Sequence, residues 1–226
     1  MNAPSVTVAI PVYEEEQHLG ATLEAIATQT YEHVQEILVV DGGSTDRTVE
    51  IAESFPGVRV LEQPGRQAAA LNAALHEAKG DVFVRVDGHC TLEPDYVARC
   101  VHALVRTDAA MVGGAMRPVG EGWQQRGISA AMTSRLGHGP ARFHVGGPAG
   151  WTDAVYLGAY RRELALEVGG YDEGDCNEDA EFAIRMRRHG GIWFDPSIRS
   201  TYVPRDSLSA LARQFYLYGR ARSLTV

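Results

Sequence analysis

Apolar and polar positions in the first half of the chain alternate between two patterns. Short apolar runs rich in β-branched residues are typical of buried strands, and each is followed by a segment with helical periodicity. The four strand-like runs are "VTVAIPVY" (6–13), "EILVVD" (36–41), "VRVLEQ" (58–63) and "DVFVRVDG" (81–88). In the first helical segment, Leu19, Leu23 and Ile26 share one face. This alternation predicts an α/β protein with a mainly parallel central sheet and helices on both faces.

The second half of the chain is less regular. We expect a strand with a glycine bulge in "AAMVGGAMRPVG", a helix from Trp123 to Leu136, a loop in "GHGPARFHVGGPAG", and a strand then a short helix in "TDAVYLGAYRRELALEVGGYDE". A helix after Asn177, a strand in "GIWFDPSIRSTYVP" and a terminal helix from Ser207 follow. Since no repeat or linker divides the sequence, we interpret residues 1–226 as one domain, in which the first half holds a ligand and the second half covers it.

Composition and charge exclude several classes of protein. The 226 residues carry a formal net charge of −8, so a global basic footprint for nucleic acid is absent. The three cysteines show no Cys-x-x-Cys pair, which argues against a disulfide framework or a zinc site and fits a reducing compartment. The N-terminus lacks the features of a signal peptide, and no apolar run is long enough to cross a membrane. We therefore expect a cytoplasmic protein.

Acidic residues lie at three of the four ends of the predicted strands. In parallel sheets ligands bind beyond the carboxyl ends of the strands, which here are 11–15, 41–44, 63–66 and 87–89. Asp87 and His89 flank a glycine directly after the fourth strand, and carboxylate plus imidazole suits Mn²⁺, Mg²⁺ or Zn²⁺. With two protein ligands, the metal would need further oxygens, such as those of a diphosphate. The alternative is a turn in which both side chains satisfy local backbone groups.

Two other strand ends carry candidate binding residues. The segment "VVDGGSTDRT" lacks both the Walker pattern and G-x-G-x-x-G, so a phosphate-loop reading is weak. Asp41 either accepts hydrogen bonds from a base or ribose or caps its own turn. Arg66 either pairs with a phosphate or is a surface arginine in a turn.

The stretch "CNEDAEFAIRMRRHGG" predicts a helix that begins after Asn177, a good N-cap, and ends at two glycines. Its apolar stripe includes Phe182 and Met186, and helical spacing places Asp179 on the same face, with Glu178 on a polar side. A carboxylate on an apolar face is costly unless it is paired or used. Asp179 is therefore a candidate general base if it lies across the cleft from Asp87, and otherwise part of a helix start signal.

The end of the chain is basic. The segment from Arg185 to Arg222 contains eight arginines and only two acidic residues. Aromatic residues are interleaved with arginines in "RQFYLYGRAR" (213–222). This segment suits binding of sugars and phosphates or contact with an anionic membrane surface. The alternatives are a solvated face that balances acids elsewhere and an amphipathic helix packed on the domain.

Taken in order, these segments resemble glycosyltransferase family 2, the inverting group with the Rossmann-like GT-A fold. The resemblance is carried by "VTVAIPVYEEEQHL", "EILVVDGGSTDRTVEIAE", "GRQAAALNAALHEAKGDVFVRVDGHC" and "NEDAEFAIRMRRHGG", and it extends from Val6 to Arg222. The stretches "RVDGHC", "NEDAEF" and "SLSALARQFYLYGRAR" are similar to the succinoglycan-biosynthesis type within that family.

The resemblance implies roles for individual residues, which fall into four groups. The residues that would bind the nucleotide sugar are Pro11, Tyr13, Glu15, Asp41, Arg66 and Asp87, and those that would bind the metal are Asp87 and His89. Asp179 would be the catalytic base, with Glu178 beside it. The residues that would contact the acceptor or the diphosphate are Gln214, Arg220 and Arg222. The family's D-x-D metal site reads Asp-Gly-His here, so an imidazole stands where a carboxylate usually binds the metal.

The resemblance also implies an activity. Residues from about 1 to 90 would bind a nucleotide-sugar donor, with UDP as the usual nucleotide, and residues from about 91 to 226 a saccharide or lipid-linked acceptor. The reaction would be a metal-assisted single displacement with Mn²⁺ or Mg²⁺, in polysaccharide or glycolipid synthesis, in the cytoplasm or at the inner face of its membrane. The competing hypotheses are a nucleotidyltransferase and a nucleotide-sugar-binding domain without catalysis. The acidic "PVYEEE" suits a triphosphate poorly.

Overall fold

A computed structural model describes residues 3–120, 122–134, 141–174, 177–204, 211–213, 215–216 and 219. Its strands are β1 (Val6–Val12), β2 (Val34–Asp41), β3 (Val58–Glu62), β4 (Val82–Arg85), β5 (Cys90–Leu92), β6 (Met111–Pro118), β7 (Gly150–Thr152), β8 (Tyr156–Arg161) and β9 (Ile192–Tyr202). Its helices are α1 (Leu19–Ala27), α2 (Thr48–Glu53), α3 (Gln67–Glu77), α4 (Tyr96–Thr107), α5 (Trp123–Met132), α6 (Arg142–Val145), α7 (Arg162–Glu167) and α8 (Glu178–Arg187). Residues 211–213, 215–216 and 219 are also helical, whereas Ser207 lies outside the described residues.

One sheet runs through both halves of the chain, in the order β3-β2-β1-β4-β8-β6-β9-β5, and β7 pairs with β9. The pairs β3–β2, β2–β1 and β1–β4 are parallel, as the continuous apolar runs of the first half predict. The second half is mixed, because β8 lies antiparallel between β4 and β6 while β6 and β9 are parallel. The carboxyl ends of β1, β2 and β4 therefore share one edge of the sheet.

Helices cover both faces of this sheet and bury two apolar clusters. On one face α1, α2 and α4 pack against the sheet through side chains such as Leu23, Ala52 and Leu104. On the other face α3, α7 and α8 contribute Leu71, Ala165 and Phe182. The predicted α/β layering is confirmed, and α8 is held on the same face as α3.

The glycine bulge predicted in β6 is confirmed. The register of β6 shifts between Val112 and Gly114 against β8, and between Gly113 and Ala115 against β9. A Cβ atom at Gly114 would lie 1.9 Å from the carbonyl oxygen of Ile198, so only glycine lets the two strands approach this closely.

The described part of the predicted loop "GHGPARFHVGGPAG" contains the short helix α6 and the start of β7. In the ranges that the structure covers, no helix combines the length and the apolar character that crossing a bilayer requires.

Candidate active site

A cleft lies at the carboxyl ends of β1, β2 and β4, where the strand ends were expected to form a binding site. The space between its walls, including open solvent at its mouth, is about 550 Å³. The cleft brings together six of the predicted site residues, which are Pro11, Tyr13, Glu15, Arg66, Asp87 and His89. Of the remaining predictions, Gln214, Arg220 and Arg222 lie outside the described residues.

Glu15 and His89 form a pair on the floor of the cleft. Oε1 of Glu15 lies 2.8 Å from Nδ1 of His89, and the backbone N–H of Glu15 donates to Thr48 Oγ1 at 2.8 Å. The edge of the His89 ring faces Tyr202, with ring centroids 5.4 Å apart. Gly88 permits this arrangement, because a Cβ atom there would lie 3.1 Å from Cγ of Glu15. The imidazole is thus held in one orientation beside Asp87.

Asp41 shapes the turn at the end of β2. Its side chain is buried, and Oδ2 accepts hydrogen bonds from the backbone N–H groups of Gly43 and Ser44, each at 3.0 Å. Asp41 thus caps its own turn, which is one of the two roles that the sequence allows. The neighbouring Gly42, and not Asp41, lines the cleft. A direct contact between Asp41 and a base stays a prediction.

Arg66 precedes α3 at the other side of the cleft. Its side chain is exposed, and Nη1 donates to the carbonyl oxygen of Gly174 at 2.8 Å. Asn72 of α3 makes two hydrogen bonds to the backbone of Tyr171, at 2.9 and 2.7 Å. The segment before α8 is therefore fastened to α3, which begins at the cleft.

Arg85 is the residue that sequence reasoning missed. It is the last residue of β4, it is only 6% exposed, and it contacts two predicted site residues. Nε and Nη2 donate to Oδ1 of Asp87 at 3.1 and 3.0 Å, and Nη1 donates to Oδ1 of Asp179. Burial alone would lower the pKa of Arg85, but the charges of Asp179 and Asp87 outweigh it and raise that pKa well above its ordinary value.

The helix α8 begins as its sequence predicts. Oδ1 of Asn177 accepts a hydrogen bond from the backbone N–H of Ala180 at 3.3 Å, and Phe182 and Met186 are buried. Helical spacing places Asp179 on the same face as these two residues, but its side chain is 51% exposed. Asp179 lies one turn before the buried stripe, at the open end of the helix.

Glu178 differs from its predicted placement on a polar side. It is partly buried, burial raises its pKa, and the charge of neighbouring Asp179 raises that pKa further. Two carboxylates of different exposure therefore lie side by side at the start of α8. The more exposed one, Asp179, is paired with Arg85.

Asp87 and His89 fit a divalent metal that completes its coordination with ligands from a substrate. No group of three potential metal-binding side chains occurs among the described residues, so a metal held by Asp87 and His89 would take its other ligands from elsewhere. The Glu15–His89 contact matches the carboxylate–histidine pairs that orient imidazole ligands around protein-bound metals. Carboxylate oxygens favour Mn²⁺ and Mg²⁺, whereas an imidazole also binds other transition metals. A site made of Asp87 and His89 would therefore select Mn²⁺ or Mg²⁺ less strictly than a site with two carboxylates.

Comparison with known proteins identifies relatives of this chain. The sequence model described as Glycosyl transferase family 2 matches residues 7–169. Succinoglycan biosynthesis protein ExoA of Rhizobium meliloti (strain 1021) is 34% identical over 232 residues, which cover 99% of this chain and 70% of that protein. The family and the similarity to its succinoglycan type, both predicted from the motifs, are confirmed.

Two solved structures share the fold. The mannosyltransferase PcManGT from Pyrobaculum calidifontis, in complex with GDP-Man and Mn²⁺, has a TM-score of 0.70 at 24% identity, covering 93% of this chain and 60% of that chain. TarS 1-349 of S. aureus, in complex with UDP-GlcNAc, has a TM-score of 0.67 at 18% identity, covering 90% of this chain and 59% of that chain. These likenesses confirm the predicted GT-A fold. The family match over residues 7–169 and the 34% identity to ExoA identify this chain as an enzyme that belongs to glycosyltransferase family 2.

Proposed function

We propose that this chain transfers a sugar from a nucleoside-diphosphate sugar to an acceptor hydroxyl, with inversion at the anomeric carbon. The observation that carries the proposal is the connection, through Arg85, between the cleft residue Asp87 and the carboxylate of Asp179. The connection joins a donor site to a proton acceptor, which are the two parts that a single displacement needs.

The proposed donor site is the cleft, and the proposed nucleotide is UDP. The exposed ring of Tyr13 offers a surface for stacking a base, and Arg66 offers a guanidinium for a phosphate. The turn that Asp41 holds would position the backbone of Gly42 against the nucleoside. Support for a nucleotide-sugar donor comes from the two structural neighbours, one solved with UDP-GlcNAc and one with GDP-Man.

Asp87 and His89 would hold a Mn²⁺ or Mg²⁺ ion together with the donor diphosphate. A bound divalent metal neutralises the charge that develops on a departing diphosphate. Glu15 would keep the imidazole of His89 oriented for this role. Support for a metal comes from the Mn²⁺ in the mannosyltransferase complex.

Asp179 would act as the general base. Its carboxylate takes the proton of the acceptor hydroxyl while the acceptor oxygen bonds to the anomeric carbon. The bond from that carbon to the diphosphate oxygen breaks, and the nucleoside diphosphate leaves with the electron pair. The hydrogen bond from Nη1 of Arg85 to Oδ1 of Asp179 would hold this carboxylate in place for the proton transfer.

The proposed acceptor is a saccharide or lipid-linked saccharide in polysaccharide or glycolipid synthesis, consistent with the name of the ExoA relative. The part of the chain from about residue 91 onward would bind it, with Gln214, Arg220 and Arg222 in contact with acceptor or diphosphate. The basic C-terminal segment would bring the enzyme to the inner face of the cytoplasmic membrane.

A thermal-shift panel tests the donor class. Wild-type protein is melted with UDP, GDP, UDP-glucose, UDP-N-acetylglucosamine, GDP-mannose, UTP and GTP, each with and without Mn²⁺. Stabilisation by uridine diphosphates that grows with Mn²⁺ is expected, because a ligand that binds the folded state raises the melting temperature. Asp87→Asn should lose the Mn²⁺-dependent part of the shift. A shift with triphosphates alone would contradict the proposal and favour nucleotidyl transfer.

A further inference from the structure

Arg85 is a buried charge at the end of a central strand. Its backbone pairs with Ala9 of β1, and its guanidinium donates hydrogen bonds to Asp87, which lines the cleft. A buried guanidinium is costly unless carboxylates compensate it, and two do so. One partner is two residues away, and the other, Asp179, is supplied by α8 from the second half of the chain.

The guanidinium fixes the two carboxylates relative to each other. One edge of the planar group, Nε and Nη2, points at Asp87, and Nη1 points at Asp179. Because the guanidinium is rigid and planar, the directions of its hydrogen bonds to the two carboxylates are fixed relative to each other. A lysine ammonium would keep the charge but would offer one flexible point instead of two fixed directions.

Aromatic packing holds α8 in place one turn after the ion pair. The ring of Phe182 stacks on that of Tyr171, with centroids 4.3 Å apart, and meets Tyr160 edge-on at 5.2 Å. Phe182 lies one turn after Asp179, so the helix is fixed by this aromatic cluster and the carboxylate by Arg85. The packing positions the helix, and the ion pair positions the reacting group.

We propose that Arg85 is a positioning residue of the transfer reaction, which sets the base Asp179 at a defined place relative to the donor site at Asp87. The role rests on the proposed function of the cleft and adds to it. Donor and base are thereby placed by one side chain, and the acceptor oxygen binds between them.

Arg85→Lys in the full chain tests this role, with Arg162→Lys as a matched control. Arg162 is partly buried, and its Nε and Nη2 donate to the carbonyl oxygens of Leu75 and His76, which do not line the cleft. For each variant we would measure the melting temperature, the Kd of UDP in the presence of Mn²⁺, and kcat and KM for UDP release from UDP-sugars. The rates are measured with water and with added oligosaccharides as acceptors.

We expect Arg85→Lys to bind UDP with Mn²⁺ within about threefold of wild type, while kcat falls by about 10- to 100-fold, the cost of misplacing a reacting group by about 1 Å. Arg162→Lys should keep the wild-type kcat. In an Asp179→Asn background, Arg85→Lys should lower the remaining rate by less than about threefold, because two residues that act together are not additive. An unchanged kcat, or effects of Arg85→Lys and Asp179→Asn that simply multiply, would overturn the positioning role.

Asp179→Glu gives a second test that does not depend on a buried substitution. It keeps a carboxylate at an exposed position but moves it by one methylene away from the geometry that Arg85 sets. We expect kcat to fall by about tenfold or more, and a wild-type kcat would overturn the role. Wild-type protein that neither binds UDP nor releases it from any UDP-sugar would contradict the proposed function itself, whereas an active wild type with equally active Arg85→Lys overturns only this inference.

Discussion

Replacing Glu15 by glutamine should weaken the binding of Mn²⁺ without closing the cleft. The substitution keeps the shape of the side chain and an oxygen that can accept from the imidazole of His89, but it removes the negative charge. The contact joins Oε1 of Glu15 and Nδ1 of His89 at 2.8 Å, with side chains that are 19% and 31% exposed. A partly buried contact of this length depends on its charge more than an exposed one does.

The size of the effect follows from the kind of hydrogen bond that is lost. A hydrogen bond to a charged group contributes about 1.5–3 kcal/mol, and one between neutral groups about 0.5–1.5 kcal/mol. The difference of about 1 kcal/mol corresponds to about a fivefold loss of Mn²⁺ affinity for Glu15→Gln. Glu15→Ala removes the partner altogether, and the loss should reach about 10- to 100-fold, as for other partners of metal-bound histidines.

A calorimetric titration of Mn²⁺ into the protein with saturating UDP measures this affinity. Glu16→Gln is the matched control, because Glu16 is exposed and lies outside the cleft, and its carboxylate accepts a hydrogen bond from the backbone N–H of Arg47 at 3.2 Å. Glu16→Gln should titrate like wild type. If Glu15→Gln does so as well, or if both variants lose the same affinity, the reasoning that Glu15 orients a metal ligand is refuted.

Two further predictions concern the metal site and the sheet. His89→Ala should reduce the gain in UDP affinity that Mn²⁺ provides, because only Asp87 of the pair remains; the same gain in variant and wild type would remove His89 from the site. Gly114→Ala should lower the stability by about 1–3 kcal/mol or more, since its Cβ would lie 1.9 Å from the carbonyl oxygen of Ile198. Gly127→Ala on α5 is the control, because a Cβ there would meet nothing within 4 Å. Measured by chemical denaturation, this variant should be as stable as wild type or more stable by up to about 1 kcal/mol. Equal losses of stability in both variants would contradict the close approach of Gly114 to Ile198.

The sequence predicts the first half of the fold better than the second for a physical reason. β1 and β4 are buried on both faces, so their sequences are continuous apolar runs that can be recognised without a partner. The strands β5 and β7 have three residues each, too few for a pattern. The insertion of β8 beside β4 depends on pairs such as Val84 with Ala159, which are far apart in the chain and leave no local signal.

The same distinction applies to the site. The strand ends indicate that Glu15, Asp87 and His89 meet, because parallel strands share an edge. An arginine inside the apolar run "VFVRV" is a signal that Arg85 has a charged partner, since a buried charge is otherwise too costly. That signal does not name Asp179 as the partner. Helical spacing likewise gives the face on which Asp179 lies but not how far the protein covers the first turn of α8.

Turnover of Asp179→Asn tests the central claim most directly. The kcat of the wild-type chain and of the variant is measured from UDP release and product formation with a UDP-sugar. The Kd of UDP in the presence of Mn²⁺ is measured for both proteins. Loss of a general base should lower kcat by about 10²- to 10⁴-fold. The Kd should stay within about threefold, because Asp179 lies outside the residues that line the cleft. A variant that keeps most of the wild-type kcat would contradict the assignment of Asp179 as the base and, with it, the proposed path of the proton.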